Sequence, residues 1–328
     1  MTVSESSARQ ATFRTPDLTV DIVIVNWNSK RLLRESLAAL DQSTIAGQLN
    51  VIVVDNASAD GSADALVAER AQLDIVRNTE NRGFAAACNQ GAKKGRAPLL
   101  LFVNPDVRVR PDTVAAAVRY LDDPGHSGVG VLGVQLTDAD GHVQRCCART
   151  PTAVTLLLQT LFLDRLVPAL VPPHFLTEWD HGDTRPVDQV MGAFLMIRRA
   201  LFEELGGFDE RFFLYYEDVD LCLAARQAGS EVVHYAGAQA SHMGGGSTVS
   251  VKDRRLYHHA RSRVAYVAKR HGRGTATLLT GLILFAEMPI RWLHATLTRS
   301  PREGWLVIRG MVLSWRDLLS LASHRGRE

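Results

Sequence analysis

Glu217, Asp218 and Asp220 crowd into one short stretch directly after the bulky run Phe212, Phe213, Leu214, Tyr215 and Tyr216. Burial beside apolar groups raises a carboxylate's proton affinity. A general base needs that shift, because its pKa must approach the working pH. Asp218 is the candidate base, with Glu217 and Tyr215 beside it as candidates for holding the molecule that loses the proton. Val219, Leu221, Leu223 and Ala224 then interleave with polar residues up to Gly229. This pattern predicts a helix with acids in its first turn and a glycine stop. The competing reading is that the acids only complement the helix N-terminus.

The other polar clusters sit where apolar runs end. Asp21 to Val25, Val51 to Val54 and Pro98 to Val103 read as buried strands, with Leu73 to Arg77 a shorter one. Between them come amphipathic stretches such as Leu32, Leu33, Leu37 and Leu40. The alternation argues a parallel α/β sheet. In such sheets ligands bind beyond the carboxyl ends of the strands. Asn26 and Asn28 follow the first strand, and Asp55 and Asp60 the second. Asn81, Arg82 and Gly83 lie in the next loop, and Asn104 and Asp106 end the Pro98 to Val103 run. A carboxylate at Asp55 can accept from the N3–H of uracil or thymine, or from a ribose hydroxyl; Asp106 suits Mg²⁺ or Mn²⁺, which take one or two carboxylates plus substrate phosphates. Each cluster has a plain alternative, as helix cap, turn or glycine loop. No Gly-x-Gly-x-x-Gly follows the first strand and no Gly-Lys-Ser/Thr loop occurs, so dinucleotide binding and P-loop hydrolysis lose support.

Taken jointly, Asp55-Asn56-Ala57-Ser58 with Asp60, Asn81-Arg82-Gly83-Phe84 with Asn89, Asn104-Pro105-Asp106, and Glu217-Asp218 resemble the inverting GT-A glycosyltransferases of family 2. Within that family the chain looks most like bacterial rhamnosyltransferases of cell-wall and O-antigen assembly. The resemblance implies an α/β GT-A fold, a Rossmann-like mixed sheet flanked by helices. It implies that Asp55 holds the base, that Asp60 and Arg82 lie near the nucleotide, that Asp106 ends a metal-binding D-x-D, and that Asp218 is the base. Asn26, Asn28, Asn81, Gly83 and Asn104 complete the nucleotide-contact set. Asn104 stands where the family has its first Asp, which puts metal affinity in question. His242, at the head of the loop Gly244 to Ser247, matches a histidine that completes the metal site in related transferases; a surface histidine is the alternative. Gly192 and Ala193 begin the segment that borders the acceptor pocket. Trp179 and Tyr215 are candidate sugar platforms, with ordinary packing as the competing reading. The implied reaction is rhamnose transfer from dTDP-rhamnose to a saccharide on polyprenyl diphosphate, assisted by Mg²⁺ or Mn²⁺. The alternatives are a UDP-sugar transferase with another acceptor and a non-catalytic carrier-lipid scaffold.

Charge separates the chain into two parts. Residues 251–328 hold 15 Lys/Arg against 5 Asp/Glu, whereas the first 250 hold 22 against 30. An acidic body with a basic tail suggests that the tail meets something anionic. Trp305, Ile308, Val312, Trp315 and Leu319 fall on one helical face, with Arg302, Arg309 and Arg316 elsewhere. That composition fits a helix in the membrane interface; a helix packed on the body or a homodimer contact is the alternative, and nucleic acid is disfavoured. The apolar run 275–286 is too short to span a bilayer, being interrupted at Glu287, Pro289 and Arg291. Cys88, Cys146, Cys147 and Cys222 contain no Cys-x-x-Cys, which reads as reduced thiols in a cytoplasmic protein. Residues 1–18 are polar and lack an apolar h-region, and so read as a flexible arm rather than a signal peptide. The expected organisation is that arm, a catalytic domain over 19–250, and a membrane-associating helical extension over 251–328, peripheral on the inner face of the cell membrane.

Overall fold

The computed structural model describes residues 19–70, 73–244, 252–298 and 300–323. The expected arm at 1–18 and Gly245, Gly246 and Ser247 of the glycine loop lie outside the described residues. Four strands, β1 (Val20–Asn26), β2 (Leu49–Asp55), β3 (Asp74–Arg77) and β4 (Leu99–Val103), form a parallel half-sheet in the order β3-β2-β1-β4. Every residue of β1 and β4 is buried, because helices cover the sheet. These are α1 (Lys30–Asp41), α2 (Ser62–Glu69) and α3 (Phe84–Ala92).

The second half departs from the parallel expectation. It contains β5 (Val107–Val109), α4 (Thr113–Asp122), β6 (Val129–Thr137), α5 (Ala153–Thr160), α6 (Leu163–Leu166), β7 (Arg185–Pro186), β8 (Phe194–Arg198), α7 (Arg199–Glu204), α8 (Glu217–Gln227) and β9 (Glu231–His242). β8 runs antiparallel to both β4 and β6, while β9 lies parallel to β6 and antiparallel to β5 and β7. The sheet is therefore mixed. β9 reaches seven residues beyond Tyr235, where its apolar run ends, and pairs Val107 with His242. Neither β5 nor the late part of β9 has an apolar signature strong enough to predict it.

Helices α9 (Lys252–His271), α10 (Arg273–Leu282), α11 (Met288–Thr298) and α12 (Pro301–Ser323) follow. They do not stand apart from the body. Phe212, Tyr216 and Val219 share one apolar cluster with Val264, Val267, Leu279 and Ile283. The expected break at Glu287 and Pro289 is absent. A π-helical turn at Ile283–Glu287 joins α10 to α11, an irregularity that accommodates a proline's missing N–H. The result is one helix over Arg273–Thr298, long and apolar enough by length and composition to cross a membrane, with 39% of its apolar window buried in the protein. Glu287 is buried in it and bonds Arg263 of α9 and Arg291.

Candidate active site

The pairing of β1 with β2 sets Asn26 opposite Asp55. Asn26 is fully buried, and its side-chain nitrogen lies 2.7 Å from Asp55 Oδ1, 3.0 Å from Ser58 Oγ and 2.7 Å from Ser62 Oγ. Asp55 also accepts from the Ser58 N–H. The Asn28 side chain accepts from Ala59, and Asp60 accepts from the Lys30 and Ser62 amides. These bonds hold the Asp60 carboxyl below its ordinary value against a desolvation that opposes them. The four residues thus knit two strand-end loops together, and none of them lines the cavity described next. Asn26 in particular is interior scaffold.

The cavity has a volume of about 790 Å³, within the ordinary range for ligand pockets. One wall comes from the strand ends: Trp27, Asn56, Asn81, Gly83, Asn104 and Asp106. Asn56 fixes this wall. It donates to Gly83 O and accepts from Asn78 and from the Arg82 N–H. The Arg82 side chain itself is exposed and outside the lining. Gly83 has φ +86°, and a Cβ there would lie 2.6 Å from Phe213 O. The loop therefore closes directly on the backbone of segment 213–216, to which Phe84 N also donates.

Segment 213–216 leads directly into the acids. Tyr215 and Tyr216 both have left-handed backbone, φ +70° and +69°, which costs a non-glycine residue about 1–3 kcal/mol. The bend starts α8 at Glu217 and turns Glu217 and Asp218 into the cavity. Asp218 accepts from Gly192 N at 2.9 Å and Val219 N at 2.8 Å. Burial nonetheless outweighs these bonds, and its pKa is raised. Glu217 is pushed up still more strongly by burial and by its neighbour Asp218. The acidic trio divides here. Two positions on, Asp220 turns away and bonds Lys269 and Arg270 of α9. Gly192 contacts the Asp218 carboxylate, and Ala193 O accepts from Asn104 N. The two small residues therefore link the acid wall to the strand-end wall.

Asp106 and His242 meet because β5 pairs with β9. The His242 Nε2 lies 3.6 Å from Asp106 Oδ1. Gln144 donates to His242 O, so its Oε1 faces His242 Nδ1 at 2.9 Å. A side-chain carbonyl only accepts, so Nδ1 donates to Gln144 and Nε2 is the ring nitrogen left facing Asp106. A histidine oriented through its second nitrogen beside a carboxylate is a donor set suited to a divalent cation.

Trp179 is a correction. Its ring stacks on His181 at 4.2 Å, lies 4.3 Å from the Arg185 guanidinium, and donates to Asp183. It is buried away from the cavity and offers no platform to a sugar, whereas Tyr215 remains on the lining. The sequence reading missed Gln144, which sits in an irregular polar stretch with no distinguishing signal. It also missed Gln189, Arg254, Arg255, His258 and His259 on the lining. The last four fall at helical spacing near the start of α9, a signal that was readable. Away from the cavity, Cys146 and Cys147 lie buried with a His234 nitrogen, all ligand atoms within 4.8 Å of one another.

The model of "Glycosyl transferase family 2" matches residues 21–206, more than half of the chain. The chain is 28% identical over 306 residues to N-acetylglucosaminyl-diphospho-decaprenol L-rhamnosyltransferase of Mycobacterium tuberculosis, covering 88% of this chain and 97% of that protein. It is 23% identical over 171 residues to rhamnosyltransferase WbbL of Escherichia coli K12, covering 52% of this chain and 62% of that protein. Among solved structures, the mannosyltransferase PcManGT of Pyrobaculum calidifontis, in complex with GDP-Man and Mn²⁺, aligns with a TM-score of 0.52 at 18% identity over 94% of this chain and 87% of that one. By this match and by its mixed, helix-flanked sheet, the chain belongs to glycosyl transferase family 2.

Proposed function

We propose that the cavity performs inverting transfer of L-rhamnose, from dTDP-rhamnose, to a saccharide carried on polyprenyl diphosphate. The observation that carries the chemistry is Asp218: a carboxylate held by two backbone N–H groups, raised in pKa by burial, on the same cavity as Asp106 and His242. The near full-length likeness to the mycobacterial decaprenol-linked transferase supports the substrate class.

Asp218 takes the proton from the acceptor hydroxyl as its oxygen attacks the anomeric carbon. Attack comes from the side opposite the leaving nucleoside diphosphate, which inverts the anomeric centre. Glu217, whose pKa burial and Asp218 push well above its ordinary value, serves as a hydrogen-bond donor beside the acceptor. Asn56, Asn81 and Asn104 present amides to the nucleotide. Asp106 and His242 would hold Mg²⁺ or Mn²⁺, which when bound stabilises charge on the departing diphosphate. Tyr215 supports the acceptor sugar.

The outer face of the helical extension supports residence on the membrane. Phe285, Leu293 and Leu297 are exposed on the 273–298 helix, as are Trp305, Val312 and Trp315 on α12. Phe162, near the exposed Leu166 and Leu170, lies against Arg291 and extends that surface. Because its inner face packs into the protein, the 273–298 helix lies on the bilayer in this reading, at the cytoplasmic leaflet.

A donor screen tests the proposal. The full chain is incubated with dTDP-rhamnose or UDP-sugars and a prenyl-diphosphate-linked N-acetylglucosamine, with mass spectrometry of the products. Rhamnose addition is expected from dTDP-rhamnose. Transfer from a UDP-sugar alone, or from no donor, overturns it.

A further inference from the structure

We propose that Arg254 and Arg255 form a clamp for the diphosphate of the prenyl-linked acceptor, at the seam between the cavity and the exposed apolar face. This rests on the lipid-linked reading of the acceptor above. Among the described residues these are the only Lys or Arg on the cavity lining, and both are exposed to it. No carboxylate pairs with either among the described residues. Arg255 makes a long 3.3 Å contact to the Tyr215 hydroxyl. The adjacent acid, Asp253, faces Arg309 of α12 at 3.5 Å instead. The charge is felt locally: His258 is held down to about 4, by burial first and then by Arg261 and Arg254.

Position assigns the ligand. α12 packs on the start of α9 so closely that a Cβ on Gly310 would lie 3.0 Å from Asp253 O. The same helix exposes Trp305, Val312 and Trp315. Two guanidinium groups on the cavity lining thus stand at the end of α9 against which this apolar-faced helix packs. A prenyl diphosphate has the matching order of parts: sugar, dianionic diphosphate, hydrocarbon. Arginine suits the middle part, because its fork binds phosphate oxygens in pairs. In the proposed function the nucleotide's own diphosphate is met at Asp106 and His242.

The test is direct binding to the full chain, by calorimetry, of farnesyl diphosphate, farnesol, inorganic pyrophosphate and dTDP. The Arg254→Gln/Arg255→Gln protein is compared with Arg254→Lys/Arg255→Lys, and thermal melts confirm folding. The double Gln protein is expected to lose at least tenfold in affinity for farnesyl diphosphate and to weaken for pyrophosphate. Its affinities for farnesol and dTDP should stay within twofold, and the Lys protein should recover part of the loss. Unchanged farnesyl diphosphate affinity overturns the clamp. A parallel loss for dTDP overturns it in favour of a nucleotide role. An equal loss of binding to phosphatidylglycerol vesicles free of prenyl diphosphate overturns it in favour of headgroup binding. These readouts require no sugar transfer, so a failed donor screen and a failed clamp are separate results.

Discussion

Asp218→Asn is the most informative single change. The substitution keeps the shape of the side chain and removes its basicity. General-base catalysis contributes about 10²–10⁴-fold, equivalent to about 3–5 kcal/mol of activation free energy. Turnover should fall by that factor. The strand-end wall with Asn56, Asn104 and Asp106 is built from elements other than α8, so affinity for the nucleoside diphosphate should change less than twofold by calorimetry. Folding has its own expected signature. Both carboxylate oxygens accept backbone N–H groups, from Gly192 and Val219, so an Asn must turn its NH₂ toward one of them. Such a mismatch costs about 1–3 kcal/mol. Relief of the buried charge offsets part of it. The sign follows from the raised pKa: the folded state disfavours the ionised form, so this group's stabilising contribution is complete below the ordinary 3.8 and is lost as pH rises through the folded pKa. Activity runs the other way, rising with pH through that same raised value. A variant within tenfold of wild-type turnover, or a wild-type rate with no acid limb above pH 3.8, would refute the base assignment.

Three further changes test the scaffold. Asp106→Ala should weaken Mg²⁺- or Mn²⁺-dependent dTDP binding at least tenfold by calorimetry, with metal-free binding unchanged; equal affinities in both conditions count against the metal role. Gly83→Ala places a Cβ 2.6 Å from Phe213 O at a positive φ, and should lower the melting temperature by several degrees while reducing turnover through displaced Tyr215 and Glu217. Glu287→Gln leaves Arg263 buried without its counter-charge, a loss of about 3–5 kcal/mol readable by denaturant unfolding. Because the Glu287 pKa is lowered from 4.5, its stabilisation is present above 4.5 and is lost as pH falls through the folded value, so the wild type and the variant should converge in acid.

The chain's local chemistry was legible wherever period and composition agree. The β-branched runs of β1 and β2, the leucine-rich β4, the glycine stop after α8, and the polar residues at strand ends follow from burial and from backbone preferences that act within a few residues. The acids of Glu217 and Asp218 were equally plain. What the sequence could not decide is which polar residue faces the ligand and which holds its neighbour. Asn26, Asn28, Asp55 and Asp60 have the types of ligand contacts, yet Asn26 bonds Asp55 because the β1–β2 register sets them side by side, and Asn28 and Asp60 bond backbone N–H groups of the neighbouring loops. Trp179 had the type of a sugar platform, yet His181 and Arg185 cover it. Asp106 and His242 lie more than 130 residues apart, and only the antiparallel β5–β9 ladder brings them within 3.6 Å. The helix through Glu287 and Pro289 is of the same kind. A π-helical turn and a buried Arg263 partner let it pass residues that would end it in isolation. Residue type and local period are short-range properties; the direction in which a side chain points is set by long-range pairing, and only the tertiary structure supplies that.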